Sequence, residues 1–366
     1  MKKPYYLFSS GRLRRQHNTL LLERATGERT PDDQGDGPDS TDEGLPSVTP
    51  DGKGQPFPVE TVDSLYLFGE VDINTRLITF LGQQGIPTFF YDYYGYYTAS
   101  LYPREAQLSG RLHIEQARHY LSAKRRLVLA RAFVEAALFN IERVIKYYQP
   151  RLEGEAKAAV QATLSDLLRD RAALPLTTDI PTLMAVEGRI RNRYYQLWPH
   201  FLGPDVAARF PFTKRERQPP SNELNALISF GNSLCYTAVL RQIYRTALDP
   251  TVAFLHEPGD RRFSLSLDLA EVFKPLLVDR MIFRLLKTGE ISPKHFSAHL
   301  GGCYLTEAGR KIVLAHWDER LAQTVQHRGM NKKVSYERLI RLECYKLVRH
   351  LCDPVGEPYE GFHMWW

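Results

Sequence analysis

One stretch of the sequence places an imidazole close to two carboxylates. His256 ends an apolar run and begins a polar turn, and Ser264 or Ser266 can cap the helix predicted after that turn. On this helix Asp268 and Glu271 are three residues apart and share a face. The face is flanked by leucine, valine and phenylalanine, so two carboxylates there would repel each other and lose hydration unless a cation lay between them. The pattern indicates either a site for a divalent metal such as Mg²⁺ or Mn²⁺, or a core histidine beside a solvated acidic stripe.

A second candidate is Glu187, in the sequence MAVEGRIRNRYY, which lies in the middle of a predicted helix with apolar neighbours. Arg191 follows it by four residues and is therefore expected on the same helix face. Tyr194 lies in the same segment. Taken alone, this segment is explained most simply by an ordinary surface ion pair.

A third segment, SNELNALISFGNSLCY, predicts a helix capped by Ser221 or Asn222. Asn225 and Ser229 lie four residues apart on it. Asparagine is mildly unfavourable inside a helix, so its presence indicates either a hydrogen-bonding role, such as positioning a neighbour, or a plain polar face.

Other common catalytic signatures are absent from the sequence. It contains no GxxxxGK[ST] phosphate loop, no GxGxxG after a strand, no HExxH and no GxSxG. Nothing indicates a serine or cysteine nucleophile with a paired base. Chemistry in this chain therefore depends on the carboxylates and the histidine.

The charge of the chain is unevenly distributed. Its 366 residues carry a formal charge of +6, but the segment from Pro31 to Pro56 carries −6, so the remainder carries +12. That segment has almost no large apolar side chain, which predicts a solvated, disordered insertion between two strands. The basic remainder favours a polyanionic partner.

With 43% hydrophobic and 25% charged residues, the composition excludes a mostly disordered chain, a collagen-like fibre and a disulfide-knotted miniprotein.

The cysteines and the termini indicate a cytoplasmic protein that does not enter a membrane. The four cysteines are scattered, without a CxxC pair, as expected of reduced thiols that pack as small hydrophobic residues. The basic N-terminus is followed by an apolar run too short for a signal peptide, and no stretch approaches the ~18 apolar residues of a membrane span. The closing aromatic residues, Met364 to Trp366, are predicted to pack onto the protein, since exposed tryptophans would favour aggregation.

The elements that must position these residues indicate an α+β multidomain fold. Residues 1–105 predict a small β domain of strands plus one helix, and residues 106–366 a large all-α catalytic domain. The predicted strands are 5–9, 19–23, 62–68 and 88–91, with a second strand pair or an aromatic edge at 94–103. The helix of the β domain is predicted at 75–84, between an Asn74 cap and Gly85. The helices after it are predicted at about 109–149, 154–173, 180–198, 222–247, 265–288, 305–328 and 334–351.

At these segments the chain resembles a known family, the CRISPR-associated integrases of spacer acquisition (the Cas-one family), in the branch that accompanies type I-B-like systems. The motifs that carry the resemblance are SSGRL near the N-terminus, LYLFGEVDINTRLITFLGQQGIPTFFYDYYGYYTASLYPRE at 65–105, EGRIRNRYY at 187–195, NELNALISFGNSLCY at 222–236, FLHEP with SLDLAEVFKPLLVDR between 254 and 280, and the closing YEGFHMWW. They cover nearly the whole chain apart from residues 31–56. Each motif is weak alone, but their combination is specific.

The resemblance implies roles for individual residues. The metal-binding glutamate of the family falls on Glu187, its histidine on His256 and its third, acidic ligand on Glu271. Asp268 falls on the neighbouring acidic position that supports the catalytic site. The asparagine of the NALIS helix is Asn225. The implied fold is a β domain joined to a helical catalytic domain, with a dimer formed largely through the β domains.

The implied reaction is phosphoryl transfer on DNA, in which 3′-OH ends of short foreign DNA are joined into a CRISPR repeat array. A divalent ion, Mg²⁺ or Mn²⁺, held by the three ligands would act as a Lewis acid on the scissile phosphate and orient the attacking hydroxyl. The nucleophile is then the 3′-OH of the incoming DNA, which agrees with the absence of a serine or cysteine nucleophile. With water as the nucleophile, the same site would act as an endonuclease.

Several basic and polar residues are candidates for DNA contact. Arg191 or Tyr194 can stabilise the pentavalent phosphate or position a strand. The other candidates are Lys214, Arg215, Arg217, Asn225, Lys274 and Arg280. Phosphate contacts of this kind would make affinity fall steeply with salt. Any single lysine or arginine among them can equally be a solvated surface charge.

The resemblance also implies partners. They are double-stranded DNA with 3′ ends, the repeat array, a second copy of the chain in a homodimer, the small Cas-two protein and, in this branch, a Cas-four nuclease.

Two other classes of function remain open. A stand-alone metal-dependent DNA repair nuclease would need the same site but no small partner, and a non-enzymatic nucleic-acid scaffold would use Glu187 and Glu271 only structurally.

Overall fold

A computed structural model describes residues 2–24, 55–103, 109–216, 219–259, 263–299, 301–327 and 329–365. The chain divides into two units, Met1–Ala106 and Gln107–Trp366. The first is rich in strands and the second is mostly helical, which confirms the predicted fold class. Within the described ranges, no helix is both long enough and apolar enough to cross a membrane.

The strands of the first unit form two four-stranded sheets in the part of the chain that the structure describes. Its elements are β1 (Lys3–Leu7), β2 (Gly11–Gln16), β3 (Thr19–Arg24), β4 (Gln55–Pro58), β5 (Val62–Leu67), β6 (Val71–Asp72), α1 (Thr75–Gln84), β7 (Thr88–Tyr91) and β8 (Tyr97–Leu101). In one sheet, ordered β1-β5-β7-β8, the first three strands are parallel neighbours and β8 is antiparallel to β7. In the other, ordered β4-β3-β2-β6, the pairs β4–β3 and β3–β2 are antiparallel and β6 runs parallel to β2.

Helix α1 has the bounds that the sequence predicts because both of its ends carry strong local signals. The Asn74 side chain accepts a hydrogen bond from the N–H of Leu77 at 3.0 Å, and Gly85 adopts the left-handed conformation, with φ of 66°, that ends the helix. The inward residues Leu77, Phe80 and Leu81 join leucines of both sheets in one core.

The strands of the first unit match the prediction only in part. The sequence does not predict β2, in which only Leu13 contributes a large buried side chain. At 94–103, where the sequence predicts a second strand pair or an aromatic edge, the segment forms a single edge strand, β8. Most of the acidic segment 31–56 lies outside the described residues, but Gln55 and Pro56 belong to β4, so the insertion was predicted to end too late.

The second unit is built mainly from helices. Its elements are α2 (Gly110–Leu121), α3 (Ala123–Tyr148), α4 (Gly154–Ala173), α5 (Ile180–Gln196), α6 (Trp198–Leu202), α7 (Pro204–Arg209), α8 (Glu223–Ile243), α9 (Ser264–Lys274), α10 (Arg280–Lys287), β9 (Phe296–His299), β10 (Gly302–Leu305), α11 (Glu307–Ala322), β11 (Thr324–His327), β12 (Lys332–Ser335) and α12 (Tyr336–Cys352). Helix α9 packs against α3, α8 and α12 and is buried on nearly every side. The helix predicted to carry two carboxylates therefore lies in the centre of this unit.

The second unit differs in two features from the predicted all-α domain and its predicted helices. The pairs β9–β10 and β11–β12 form antiparallel hairpins, whose turns contain Gly301 and Asn331 in the left-handed region. The predicted helix 109–149 is two helices, because the side chain of Ser122 caps α3 and ends α2. Both features depend on turn residues within otherwise helical composition.

Between α9 and α10 the backbone forms one π-helical segment, Pro275–Asp279. Proline has no N–H, so Pro275 cannot donate the regular helical hydrogen bond to the carbonyl of Glu271. The local change in helical register therefore begins directly after α9, beside a predicted site residue.

Candidate active site

Helix α5 presents Glu187 and Arg191 on one face. The helix begins at a capped end, where the Asp179 side chain accepts a hydrogen bond from the N–H of Thr182 at 2.8 Å. Nε of Arg191 donates to Oε1 of Glu187 at 2.6 Å, so the predicted i,i+4 pair is formed. The pair is not on an open surface, because the Arg191 side chain is only 10% exposed and that of Glu187 19%.

Arg191 also reaches a second carboxylate. Its Nη2 donates to Oε2 of Glu271 on α9, so one guanidinium holds two acids from different helices. Nζ of Lys274, one helical turn after Glu271, donates to Oε1 of Glu271 at 2.5 Å. We call these four side chains the four-charge cluster: Glu187, Arg191, Glu271 and Lys274. Their formal charges cancel.

The cluster controls the ionisation of its members. Burial acts to raise the pKa of Glu271, but the nearby charges of Arg191, Lys274 and His256 outweigh burial and hold that pKa at about 2. Burial acts to lower the pKa of Lys274, yet the charge of Glu271 shifts it upward overall. Glu271 is therefore a carboxylate and Lys274 a cation throughout the neutral range.

A second arrangement on α9 fixes the histidine. Oδ2 of the fully buried Asp268 accepts hydrogen bonds from the N–H groups of Phe254 and Leu255, at 2.7 and 2.9 Å. Oδ1 accepts one from the N–H of His256 at 2.9 Å and lies 2.8 Å from Nδ1 of the His256 ring. A carboxylate can only accept, so in the neutral imidazole Nδ1 carries the proton and the lone pair is on Nε2.

Asp268 and Glu271 thus share α9 but not a cation. Asp268 is directed to the loop before α9 and Glu271 to Arg191 and Lys274, which corrects the expectation of a cation between the two carboxylates. Asp268 acts on His256 and not on a metal, because its oxygen atoms already accept four hydrogen bonds. Neither Ser264 nor Ser266 caps the helix.

The donor set suits a hard divalent metal. Glu187 and Glu271 offer carboxylate oxygens, and His256 offers an imidazole nitrogen whose tautomer is set by a buried carboxylate. Within the described part of the chain, however, no three His, Cys, Asp or Glu side chains are gathered closely enough to hold an ion. One oxygen atom of each carboxylate is bonded to Arg191, and the other oxygen of Glu271 is bonded to Lys274. The residues therefore fit the metal in chemistry, while this conformation holds the two carboxylates with a guanidinium.

The sequence motifs do not single out Asp279, the last residue of the π-helical segment. It is 1% exposed, and burial raises its pKa to about 7, although Arg191 opposes the shift. Tyr194 of α5 is fully buried nearby, and burial together with Asp279 raises its pKa well above the ordinary value. Tyr194 has no surface to offer DNA in this conformation, contrary to the predicted contact. The only sequence signal for Asp279 is one acid in an apolar run, LLVDR.

The asparagine of the third motif has a positioning role. Asn222 caps α8 by accepting a hydrogen bond from the N–H of Asn225 at 2.9 Å. Nη1 of Arg215 donates to Oδ1 of Asn225 at 3.0 Å, and Nη2 of Arg215 donates to Oγ of Ser229 at 2.8 Å. The predicted hydrogen-bonding role is confirmed. Asn225 itself is fully buried, so it orders the segment before α8 and has no surface for the predicted DNA contact.

The remaining DNA candidates have different surroundings. The Lys214 side chain is 70% exposed and pairs with Glu216 at 2.9 Å. The Arg280 guanidinium lies 4.6 Å from the centre of the Tyr147 ring. Lys274 is buried in the four-charge cluster, and Arg217 lies outside the described residues. Of the candidates in the described ranges, Lys214 is thus exposed whereas Lys274 is buried.

A buried asparagine that the motifs miss connects the C-terminal segment to α9. Nδ2 of Asn140 on α3 donates to the carbonyl of Val272, next to Glu271, at 2.8 Å and to the carbonyl of Phe362 at 2.9 Å. Its Oδ1 accepts from the N–H of Met364 at 2.9 Å. The only sequence signal is a single asparagine within the apolar run AALFNIE.

The C-terminal segment packs onto the second unit. Met364 is 2% exposed, and the Trp365 ring lies 4.7 Å from that of Phe139. The expected packing is confirmed for Met364. Trp365 contacts Phe139 but stays 40% exposed, and Trp366 lies outside the described residues.

Comparison with known proteins gives consistent matches over the whole chain. The family model described as "CRISPR associated protein Cas1" matches residues 5–319. The chain is 42% identical over 362 residues to "CRISPR-associated endonuclease Cas1 3" of Thermodesulfovibrio yellowstonii, covering 99% of both chains. It is 43% identical to "CRISPR-associated endonuclease Cas1" of Haloferax volcanii, covering 100% of this chain and 99% of the relative.

Solved structures show the same fold. A CAS1 protein from Thermotoga maritima is similar with a TM-score of 0.79 and 35% identity, over 99% of this chain and 100% of that chain. A casposase bound to its integration product also gives a TM-score of 0.79, over 99% of this chain and 93% of the casposase, but at 18% identity it shows the fold alone. A Cas6-RT-Cas1–Cas2 complex matches with a TM-score of 0.76 and 16% identity, over all of this chain and 36% of that one.

Proposed function

The chain belongs to the Cas1 family of CRISPR-associated proteins, and from that premise we propose that it is a metal-dependent DNA endonuclease and integrase that joins the 3′-OH ends of short foreign DNA into a CRISPR repeat array. The family supports nuclease and integrase chemistry in general. The metal, the joining reaction and the residues that perform it are the proposal.

The observation that carries the proposal is the convergence of Glu187 and Glu271 on one guanidinium, with His256 close enough to lower the pKa of Glu271. Two carboxylates from different helices are brought together at considerable desolvation cost, which a surface ion pair would not require. A nearly buried site of this kind is typical of catalysis.

The proposed ligands are Glu187, His256 and Glu271. When bound, Mg²⁺ or Mn²⁺ would supply Lewis-acid activation of the scissile phosphate. Asp268 keeps the proton of His256 on Nδ1 and so directs the Nε2 lone pair away from itself. Lys274 offsets the charge of Glu271 and keeps it ionised. The chain needs no nucleophile of its own, because the attacking hydroxyl belongs to the DNA 3′ end, or to water in cleavage.

The proposed partners follow from the family and the charge. The chain outside residues 31–56 carries +12, which favours binding to double-stranded DNA with 3′ ends and to the repeat array. Lys214 and Arg280 stay candidates for phosphate contact, and so does Arg217. We further propose a homodimer in the cytoplasm that acts with Cas2, and with a Cas4 nuclease in this branch. The structural match to a complex containing Cas2 agrees with this proposal at the level of the fold.

The test uses the full-length protein with Mn²⁺, linear and branched DNA, and a repeat-containing plasmid. Glu187→Gln and His256→Ala are expected to lose cleavage and joining, whereas Glu155→Gln, at an exposed position on α4, serves as the matched control and retains both. Activity of both site variants at the wild-type level would reject the proposal. Joining that requires added Cas2 would favour the integrase over a stand-alone repair nuclease, which would cleave without it.

A further inference from the structure

The bonds of Arg191 conflict with the proposed metal site. Its Nε bonds Oε1 of Glu187 at 2.6 Å and its Nη2 bonds Oε2 of Glu271. Each carboxylate therefore gives one oxygen to the same guanidinium, and the described residues contain no assembled group of metal ligands. An ion that used these oxygens would have to break bonds to Arg191.

The charges of the four-charge cluster also disfavour a metal ion in the absence of DNA. The formal charges of the four-charge cluster cancel without a metal, so a divalent ion would add two positive charges to a nearly buried site. Phosphates of bound DNA would supply the missing negative charge. Metal and DNA are therefore each expected to bind more tightly when the other is present.

Arg191 also has an unused donor. Its Nη1 is buried and has no hydrogen-bond partner among the residues that the structure describes. An unsatisfied guanidinium N–H is costly, and a phosphate oxygen matches the geometry of this planar donor group.

We propose, resting on the proposed metal site, that Arg191 is an internal counter-ion that a divalent metal displaces. Without metal the guanidinium occupies oxygens of Glu187 and Glu271 and keeps the two acids together. When the metal takes these oxygens, the guanidinium turns to a phosphate of the DNA. Arg191 thereby couples metal binding to substrate binding.

The test measures Mn²⁺ affinity of the full-length protein by electron paramagnetic resonance and calorimetry, without DNA and with a short duplex carrying 3′ overhangs. Arg191→Gln removes the competing charge and is expected to bind Mn²⁺ without DNA at least about tenfold more tightly, a change equivalent to ~1.4 kcal/mol. DNA is expected to tighten Mn²⁺ binding in the wild type but much less in this variant. Arg193→Gln, on the same helix but paired with Asp166 and Asp170 of α4, is the control and should match the wild type.

The outcomes separate the two proposals. Equal or weaker Mn²⁺ binding by Arg191→Gln, with binding lost in Glu187→Gln, would overturn the counter-ion role and leave the metal site intact. Mn²⁺ binding unchanged in both Glu187→Gln and His256→Ala would overturn the metal site and the inference with it. If Arg191→Gln fails to fold, the nitrogen resonance of Arg191 Nε, identified by its absence in Arg191→Lys, is followed during Mg²⁺ titration. A resonance that stays unchanged while Mg²⁺ binds would also overturn the counter-ion role.

Discussion

Oδ1 of Asp268 accepts hydrogen bonds from both the ring Nδ1 and the backbone N–H of His256, at 2.8 and 2.9 Å. Twelve residues separate the two in sequence. The contact fixes the position of the backbone, the tautomer of the ring and the direction of Nε2 together. A buried carboxylate on the central helix thus orients an imidazole on the loop before it, as in metal sites where a carboxylate supports a histidine ligand.

Replacing Asp268 with asparagine is expected to impair the site, although the two side chains have nearly the same shape. In Asp268→Asn the amide must present N–H atoms to groups that are themselves donors, so we expect a loss of about 1–3 kcal/mol in the free energy of unfolding. We also expect cleavage and joining to fall about 10–100-fold. Urea denaturation, activity and the nitrogen chemical shifts of His256 measure the three effects, with Asp166→Asn on α4 as the control. Full activity with the Nδ1-protonated tautomer retained would contradict the assigned role.

The raised pKa of the buried Asp279 leads us to expect that the stability of the protein depends on pH. Burial raises its pKa in the native state to about 7, whereas an unfolded aspartate titrates near ~3.9. Between these values the native state binds a proton that the unfolded state has released, so stability should fall as the pH rises from about 4 to 7 and then level off. Asp279→Asn stays neutral and should lose that slope, which amounts to at most about 1.4 kcal/mol per pH unit. The variant should therefore be more stable than the wild type at pH 8.

Urea denaturation at several pH values tests this prediction. Glu271 acts in the opposite direction and in a lower window, because its native pKa of about 2 adds stability that is lost as the pH falls below about 4.5. Measurements at pH 5–8 therefore exclude Glu271, and the histidines that titrate in this range are present in both the wild type and Asp279→Asn, so the difference between the two curves reports Asp279. Parallel stability curves for the wild type and Asp279→Asn across this range would rule out a proton held by Asp279.

The hydrogen bonds of Asn140 lead us to expect an energetic coupling between the C-terminal segment and α9, the helix that carries Glu271. Asn140→Ala removes three buried hydrogen bonds and is expected to cost on the order of 3 kcal/mol in the free energy of unfolding. Deletion of residues 361–366 removes two of the same bonds, so the costs of the two changes should not add. Urea denaturation of both single changes and their combination measures this, with the exposed Gln161→Ala as the control. Additive costs would show that Asn140 and the C-terminal segment are independent.

Local signals explain which elements could be predicted. Asn74 and Gly85 define α1, and Asn222 caps α8, because each cap acts over a few neighbouring residues. The pairing of Glu187 with Arg191 likewise follows from helical spacing. The break at Ser122 and the two hairpins of the second unit were not predicted, since turn chemistry there competes with a helical composition.

The sequence by itself determined the fold class, the family and the residues best suited to chemistry, because motifs, caps and side-chain types are local properties of the chain. Only the tertiary structure decided which partner each of these residues has. It directs Asp268 to His256 and Glu271 to Arg191, although both acids share one face of α9. It also buries Tyr194 and Asn225 away from any DNA surface. These outcomes depend on how α3, α5, α8 and α9 pack across long sequence separations, and spacing along a single helix contains no information about that packing.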